Sequence, residues 1–260
     1  MGNGLLDRKI RMVADMIVSA GKMVVFTGAG VSTESGIPDF RGPDGLWTKV
    51  DPDDFTIGSF LRSPEIRRRM WSLLLEGGLF ADAKPNKAHY VIAELEKMGK
   101  LSCVITQNVD NLHQKAGNDP EMVYELHGNM RWAKCLACGE RYPIEEIKQK
   151  LLSKIDVSAC ERCQGILKPD AVFFGEALPE ETLVNATTHS RDCDLLIVVG
   201  SSLVVYPAAY MPLYAKRAGA KLVIINNAPT PYDSIADIII GDSAGEVMAR
   251  IMGEVKKSIN

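Results

Sequence analysis

Four cysteines stand as two Cys-x-x-Cys pairs, Cys135/Cys138 and Cys160/Cys163, with 21 residues between them. Each pair forms a knuckle that offers two thiolates to one ion, and two knuckles at this spacing make a zinc ribbon. Because all four ligands are cysteine, no coordination position is left for a substrate, so the expected Zn2+ is structural. It would hold together an insert too small to have its own core. Gly139 and Gly165 follow the knuckles and are expected to permit their turns. Thioredoxin-type redox motifs would need each pair between a strand and a helix, and neither pair is so placed.

A second kind of chemistry is written in Val24–Gly42, VVFTGAGVSTESGIPDFRG. An apolar run ends in Gly28-Ala29-Gly30, and Val31–Ser35 can begin a helix. Strand, tight glycine turn and helix N-terminus together make a cradle for a phosphate or pyrophosphate. Thr33 stands where a dinucleotide dehydrogenase has its third glycine, and no acidic residue ends a second strand about twenty residues on, where one would hold a ribose. The loop Ile37–Gly42 follows instead, carrying Asp39, Phe40 and Arg41, so a dinucleotide held here is not arranged for hydride transfer.

Three further strand ends are polar. The strand Leu101–Thr106 runs into Gln107-Asn108-Val109-Asp110, Asp194–Val199 into Gly200-Ser201-Ser202, and Leu222–Ile225 into Asn226-Asn227. In open parallel sheets ligands bind outside the carboxyl ends of the strands, which favours a ligand-facing reading over a capping Asx turn. A short run, Met122–Leu126, ends in His127-Gly128 on the same expected rim. An imidazole can take a proton at neutral pH, and the glycine leaves space beside the ring. His89, in the first turn of a helix capped by Asn86, is expected to cap or face solvent. His189 is expected on the surface, and Cys103 and Cys193 as small inert hydrophobes.

These residues must be positioned by alternating strands and helices, which predict an α/β fold: a doubly wound, Rossmann-like parallel sheet. An amphipathic helix through Leu6, Ile10, Val13 and Ile17 precedes the first strand, Pro207 is expected to open a helix closed by Gly219, and a last helix reaches Lys257. The sheet is interrupted twice. The expected divisions are 1–48, first part of the sheet domain; 49–85, an inserted helical module; 86–131, second part; 132–168, the zinc ribbon; and 169–260, third part. Val172-Phe173-Phe174-Gly175 re-enters the main domain, either as a core strand or as an edge that pairs with an extended peptide.

Composition excludes several classes. With 260 residues, 46% hydrophobic and 24% charged, this is an ordinary globular chain with no membrane-length apolar run. A net charge of −3 exerts no global pull on nucleic acid or anionic lipid, and direct nucleic-acid binding is not predicted. The N-terminus carries charges through its apolar part, unlike a signal peptide, and Leu6 occupies the Ser/Thr position of a myristoylation motif. Six cysteines without an export signal suit a reducing cytoplasm.

GAGVSTESGIPDFRG, TQNVDNLH, ELHG, the paired Cys-x-x-Cys, KPDAVFFGE, GSSLVVYP and the INN turn together resemble the sirtuins over nearly the whole chain. The resemblance implies a protein-lysine deacetylase that consumes NAD, with an acetylated peptide bound as an extended strand. It assigns Gly28, Ala29, Gly30, Thr33, Asp39, Phe40 and Arg41 to the NAD loop, and Gln107, Asn108, Val109 and Asp110 to the ribose and nicotinamide pocket. Gly200, Ser201, Ser202, Asn226, Asn227 and Ala244 go to the adenosine half, and Val172–Gly175 with Leu203, Val204 and Val205 to the two segments clamping the peptide. His127, helped by Asn108, is the implied catalytic residue: the acyl oxygen attacks the ribose carbon that bears nicotinamide, and His127 then takes a proton from a ribose hydroxyl. Products would be nicotinamide, O-acetyl-ADP-ribose and free lysine. Relatives that prefer acidic acyl groups carry Tyr-x-x-Arg where Trp71 and Leu74 stand, so a neutral acyl group is expected. ADP-ribosyl transfer, long-chain deacylation, and an NAD-sensing or zinc-ribbon binding module remain alternatives, with a dehydrogenase the weakest.

Overall fold

The computed structural model describes residues 2–43, 45–75, 83–155, 157 and 159–259. Among the described residues nine strands fall into two sheets: β1 Met23–Thr27, β2 Leu101–Thr106, β3 Val123–Glu125, β4 Gly128–Cys135, β5 Arg141–Pro143, β6 Leu167–Ala171, β7 Leu195–Val199, β8 Lys221–Ile225 and β9 Ile238–Ile240. The α-helices are α1 Gly2–Ser19, α2 Ile57–Arg62, α3 Pro64–Leu75, α4 Lys87–Lys97, α5 Leu112–Ala116, α6 Ile144–Leu152, α7 Glu180–Asp192, α8 Tyr210–Arg217 and α9 Ala244–Ile259.

The larger sheet has the order β3-β2-β1-β7-β8-β9 and every pairing in it is parallel. With the small-sheet strands set aside, this is the doubly wound order 3-2-1-4-5-6. The central strands β1 and β7 are buried at every residue, as Met-Val-Val-Phe-Thr and Leu-Leu-Ile-Val-Val require once helices cover both faces. One face packs Val25, Ile197 and Val223 against α1, α4 and α9; the other packs Phe26, Leu196 and Ile224 against α7 and α8. The topological switch point lies between β1 and β7, so the GAG turn after β1 and the GSS turn after β7 are brought side by side.

The smaller sheet is antiparallel, β5-β4-β6. It begins at Gly128 and runs to Ala171, which is wider than the 132–168 expected for the ribbon. Among the described residues its buried core is Trp71, Ala133, Cys135, Ile144, Ile147, Val157, Cys160 and Leu167. Two elements differ from expectation. The helix expected at Val31 is a 3-10 helix, Ala29–Ser35, ended by Gly36 in the left-handed region. The helix expected from Pro207 starts later, at Tyr210, after a turn over residues 206–209.

Candidate functional site

The four ribbon sulfurs lie within 4.8 Å of one another. Cys135 Sγ is 3.5 Å from Cys163 Sγ, and Cys138 Sγ is 3.7 Å from Cys160 Sγ. A zinc–sulfur tetrahedron with bonds of about 2.3 Å has edges of roughly 3.8 Å, so the donor set fits Zn2+ closed on all sides by thiolate. Gly139 takes the left-handed conformation after its knuckle, at φ +75°. In the second knuckle that conformation belongs to Gln164, φ +61°. Gly165 is needed instead for close approach, since a Cβ there would lie 2.6 Å from Ala137 Cβ and 2.9 Å from Cys135 Sγ.

At the switch point the glycines let the two turns pack against each other. A Cβ on Gly28 would sit 2.9 Å from the Gly200 carbonyl oxygen, and one on Gly30 would sit 2.8 Å from Gly200 Cα. The Gly28 N–H donates to the Val199 carbonyl and the Gly30 N–H to the Gly200 carbonyl at 2.8 Å. Their N–H groups therefore pin the β1 turn onto the β7 turn. Polar groups face outward around this contact: Thr33, Arg41 and Asn227 are exposed, and Gln107 and Ser202 are half-buried. Gln107 Nε2 bridges the β2 and β7 ends by donating to Ser201 Oγ at 2.8 Å. Hydroxyls, amides and one guanidinium converging at the carboxyl ends of parallel strands are the donor set a dinucleotide requires. The loop beyond is folded on itself: Asp39 Oδ1 accepts the Gly42 N–H at 2.7 Å, and Phe40 packs its ring 5.1 Å from that of Trp47. Ala29 lies beside this turn, Asn226 Nδ2 turns back to the Ala228 carbonyl, and Ala244 is buried at the start of α9.

Beneath the rim is a buried hydrogen-bonded cluster. Ser32 Oγ donates to Asp110 Oδ2 at 2.7 Å, and Asn108 Nδ2 donates to Ser32 Oγ at 3.1 Å and to the Gly28 carbonyl at 3.2 Å. Asp110 Oδ1 accepts the Leu112 N–H, and Val109 offers its carbonyl to the Met130 N–H. Thr27 Oγ1 meets Thr106 Oγ1 at 2.8 Å and His113 Nε2 at 2.9 Å. Ser32, Thr27, His89 and His113 received no part in the site from the sequence, because each, taken alone, reads as a strand, turn or helix residue. A hint was available: they fall one turn from the polar strand ends. His89 completes the cap of α4, accepting the Asn86 N–H, but it is wholly buried instead of solvent-facing. Burial pushes its pKa down to about 4 against the pull of Asp110 and then Glu34, and burial, aided by His89, lowers that of His113 well below the ordinary value. Glu34 ties this region to α9, accepting the Ser243 hydroxyl and the Gly245 N–H.

His127 stands between β3 and β4, half-buried on the rim. Its Nδ1 is 3.0 Å from the Gln107 carbonyl oxygen. A carbonyl only accepts, so Nδ1 carries the proton and Nε2 presents its lone pair. Burial lowers the pKa of this histidine, with the Gln107 carbonyl opposing, which keeps the ring neutral near pH 7.

Val172–Gly175 does not form a core strand. Val172 N–H donates to the His127 carbonyl, Phe174 N–H to the Phe55 carbonyl, and Ile57 N–H to the Phe174 carbonyl. The segment is thus a pinned loop between the ribbon and the helical module. Phe173 is buried while Phe174 is exposed; in the second segment Leu203 is buried, Val205 half-buried and Val204 exposed. Trp71 is buried in the ribbon cluster, so the position expected to recognise an acyl group is a packing residue; the Leu74 side chain lies outside the described residues. His189 bonds the Tyr124 hydroxyl at 3.1 Å, and Cys103 and Cys193 are buried with thiol pKa values pushed up to about 12 by burial.

A doubly wound sheet with a polar switch-point rim and a four-cysteine ribbon defines an α/β dinucleotide-binding protein with a metal-held insert. The chain belongs to the Sir2 family, whose model matches residues 28–207. It is 47% identical to NAD-dependent protein deacylase 2 of Archaeoglobus fulgidus over 97% of this chain and 98% of that protein. It is 46% identical to NAD-dependent protein deacetylase 1 of Pyrobaculum aerophilum over 94% of each. Among solved structures, one of a Sir2 enzyme bound to a p53 peptide and NAD+ superposes with a TM-score of 0.85 at 42% identity, covering 96% of this chain and 99% of that one. Another, solved for the mechanism and regulation of Sir2 enzymes, gives 0.88 at 46% identity, covering 97% and 99%.

Proposed function

We propose that this protein is an NAD-dependent protein-lysine deacetylase that moves the acetyl group of an extended lysine peptide onto ADP-ribose and releases nicotinamide. NAD, as the second substrate, supplies the ribose carbon that the acyl oxygen attacks. The observation that carries the reading is the fixed tautomer of His127: its Nδ1–H is held by the Gln107 carbonyl, so Nε2 is free to take a proton on the rim. Gln107 therefore serves twice, orienting the base through its backbone and bridging to Ser201 through its side chain. Asn108 and Asp110, locked to Ser32, hold the floor of the ribose and nicotinamide pocket. Thr33, Phe40 and Arg41 cover the cofactor from the loop; Ser201, Ser202, Asn226 and Asn227 hold its adenosine half. Phe174 and Val204 present apolar surface to the peptide. With no guanidinium in the Trp71 and Leu74 positions, a neutral acyl group is favoured over succinyl. The net charge of −3 gives no pull on nucleic acid, no helix among the described residues is long and apolar enough to cross a membrane, and six free thiols suit a reducing cytoplasm.

The test is incubation with an acetyl-lysine peptide and NAD, following both products by mass spectrometry, for the native protein and His127→Ala. The expected result is a loss of turnover of roughly 10²- to 10⁴-fold with NAD binding unchanged by calorimetry. A peptide that gains ADP-ribose instead of losing acetyl would point to ADP-ribosyl transfer. Undiminished deacetylation in His127→Ala would overturn the assignment.

A further inference from the structure

Lys168 is a buried lysine that the reaction does not use. Its side chain is 6% exposed. The ammonium donates to the Pro169 carbonyl at 3.0 Å and to the Ala171 carbonyl, and it sits 3.0 Å from Glu176 Oε2. It also lies 4.2 Å from the centre of the Phe173 ring. The same Glu176 oxygen accepts the Phe173 N–H at 2.6 Å, and the Glu176 N–H returns to the Phe173 carbonyl. Phe173 meets Phe60 of α2 edge to face, with centroids 5.3 Å apart. One cation therefore gathers the end of β6, the loop 172–175 and, through Phe173, the helical module.

A structural tether alone does not account for this choice of residue. Replacing the whole pair by apolar side chains of similar volume is often neutral or stabilising, because a buried ion pair must offset the desolvation of both charges. What an ammonium adds is direction. It ranks its acceptors in space and fixes the carboxylate that in turn fixes Phe173. The neighbouring bonds give that direction a purpose. Val172 N–H is held by the carbonyl of His127, and Phe174, the next residue out, is exposed where Gly175 turns through φ +85°. The shape of the loop is therefore set from the buried side while its outer side, at Phe174, is exposed.

We infer that Lys168 and Glu176 are positioning residues for the acylated peptide: their ion pair pre-forms the 172–175 loop against which an extended peptide pairs, and it leaves the nucleotide half of the site alone. The inference rests on the deacetylase reading. Removing the cation should let the loop sample other shapes, so that the ordering is done at the expense of peptide affinity.

The experiment is steady-state kinetics with an acetyl-lysine peptide and NAD, each varied in turn, on the native protein, Lys168→Met, Glu176→Gln and the double variant, with zinc content measured for each. Met keeps the length of the side chain without its charge, and Gln keeps an oxygen for the Phe173 N–H. We expect Lys168→Met to raise the peptide KM about tenfold, the order of one charge-assisted hydrogen bond. The NAD KM should stay within about twofold and zinc should stay bound. Glu176→Gln should raise the peptide KM less, and the double variant should be no worse than Lys168→Met, because the pair acts as a unit. Peptide and NAD KM rising together, or zinc lost, would make the pair a general structural bond and overturn the inference. Should Lys168→Met fail to fold, Glu176→Gln decides, and an unchanged peptide KM there overturns it. A native protein that does not turn over the peptide at all would sink the deacetylase reading itself, a separate failure.

Discussion

The two sheets of this molecule solve the same problem with different means. The six-stranded sheet has two large apolar clusters, one on each face, and its central strands are buried without exception. Burial of that extent stabilises a fold on its own, at about 25 cal/mol per Å2 of apolar surface. The three-stranded sheet has one small cluster, and two of its buried members are cysteines. It lacks the apolar area to stand alone, so its thiolates must be held by a metal. The contrast teaches where each region tolerates polarity. The large sheet confines its polar side chains to the strand ends, where hydrogen bonds satisfy them; the small sheet carries its polar groups in its own core.

The comparison breaks most visibly if the metal is taken away. Structural zinc contributes on the order of 10–16 kcal/mol to small metal-dependent folds. Stripping it with a chelator, or Cys160→Ser, is expected to melt the ribbon and abolish deacetylation, because β4 and β6 carry the chain on either side of His127 and of the 172–175 loop. Fluorescence should report it through Trp71, in the ribbon cluster, and Trp132, in β4. Far-ultraviolet circular dichroism should keep most of its helical signal, because α1, α4, α7, α8 and α9 pack on the large sheet. A single cooperative loss of both signals would show the two regions to be one folding unit and would erase the distinction.

The same contrast explains what could be read in advance. Leu101–Thr106 was legible to the residue as a strand because its apolar run has polar borders, and the cysteine spacing alone found the ribbon. The rim was legible as a set of strand ends. What lay beneath it was not: Ser32, His89, His113 and Thr27 come from three separate stretches and acquire meaning only when β1, the 3-10 helix Ala29–Ser35, α4 and α5 are packed. The tight turn at Gly28 and Gly30 was legible too, but not that a Cβ at either would strike Gly200. Val172–Phe174 has the pattern of a strand, yet its backbone bonds go to His127 and Phe55, partners that local pattern cannot name.

The buried histidines sharpen the comparison by pH. His89 and His113 are neutral in the fold, with His89 lowered from 6.5 to about 4 and His113 well below 6.5, mainly by burial. A depressed histidine means that the unfolded chain binds the extra proton first, so stability falls as pH falls. The contribution is whole above about 6.5 and is lost on the way down to about 4, where His89 alone would account for about 3 kcal/mol. Thermal melts from pH 7.5 to 4.5 should show the large-sheet transition dropping across that window, and His89→Gln should flatten the slope. A native midpoint independent of pH in this range would show that burial does not hold these rings neutral.

The smallest effect expected comes from Asn86, which joins the cap of α4 to the cofactor turn. Its Oδ1 accepts the Ala88 N–H at 2.9 Å, while Nδ2 donates to the Val31 carbonyl at 2.7 Å and to Ser35 Oγ at 3.0 Å. Asn86→Ala removes both functions and should cost about 1 kcal/mol in denaturant melts, the usual value of an N-cap. Asn86→Asp separates them, since a carboxylate still caps the helix but cannot donate to Val31. The Asp variant should therefore recover most of the stability while the 3-10 helix Ala29–Ser35, which carries Thr33, loses its tether. A severalfold rise in NAD KM with peptide KM unchanged would place this tether on the nucleotide side of the site, opposite to the Lys168 pair. Equal KM values for Asn86→Asp and the native protein would reduce Asn86 to a helix cap and nothing more.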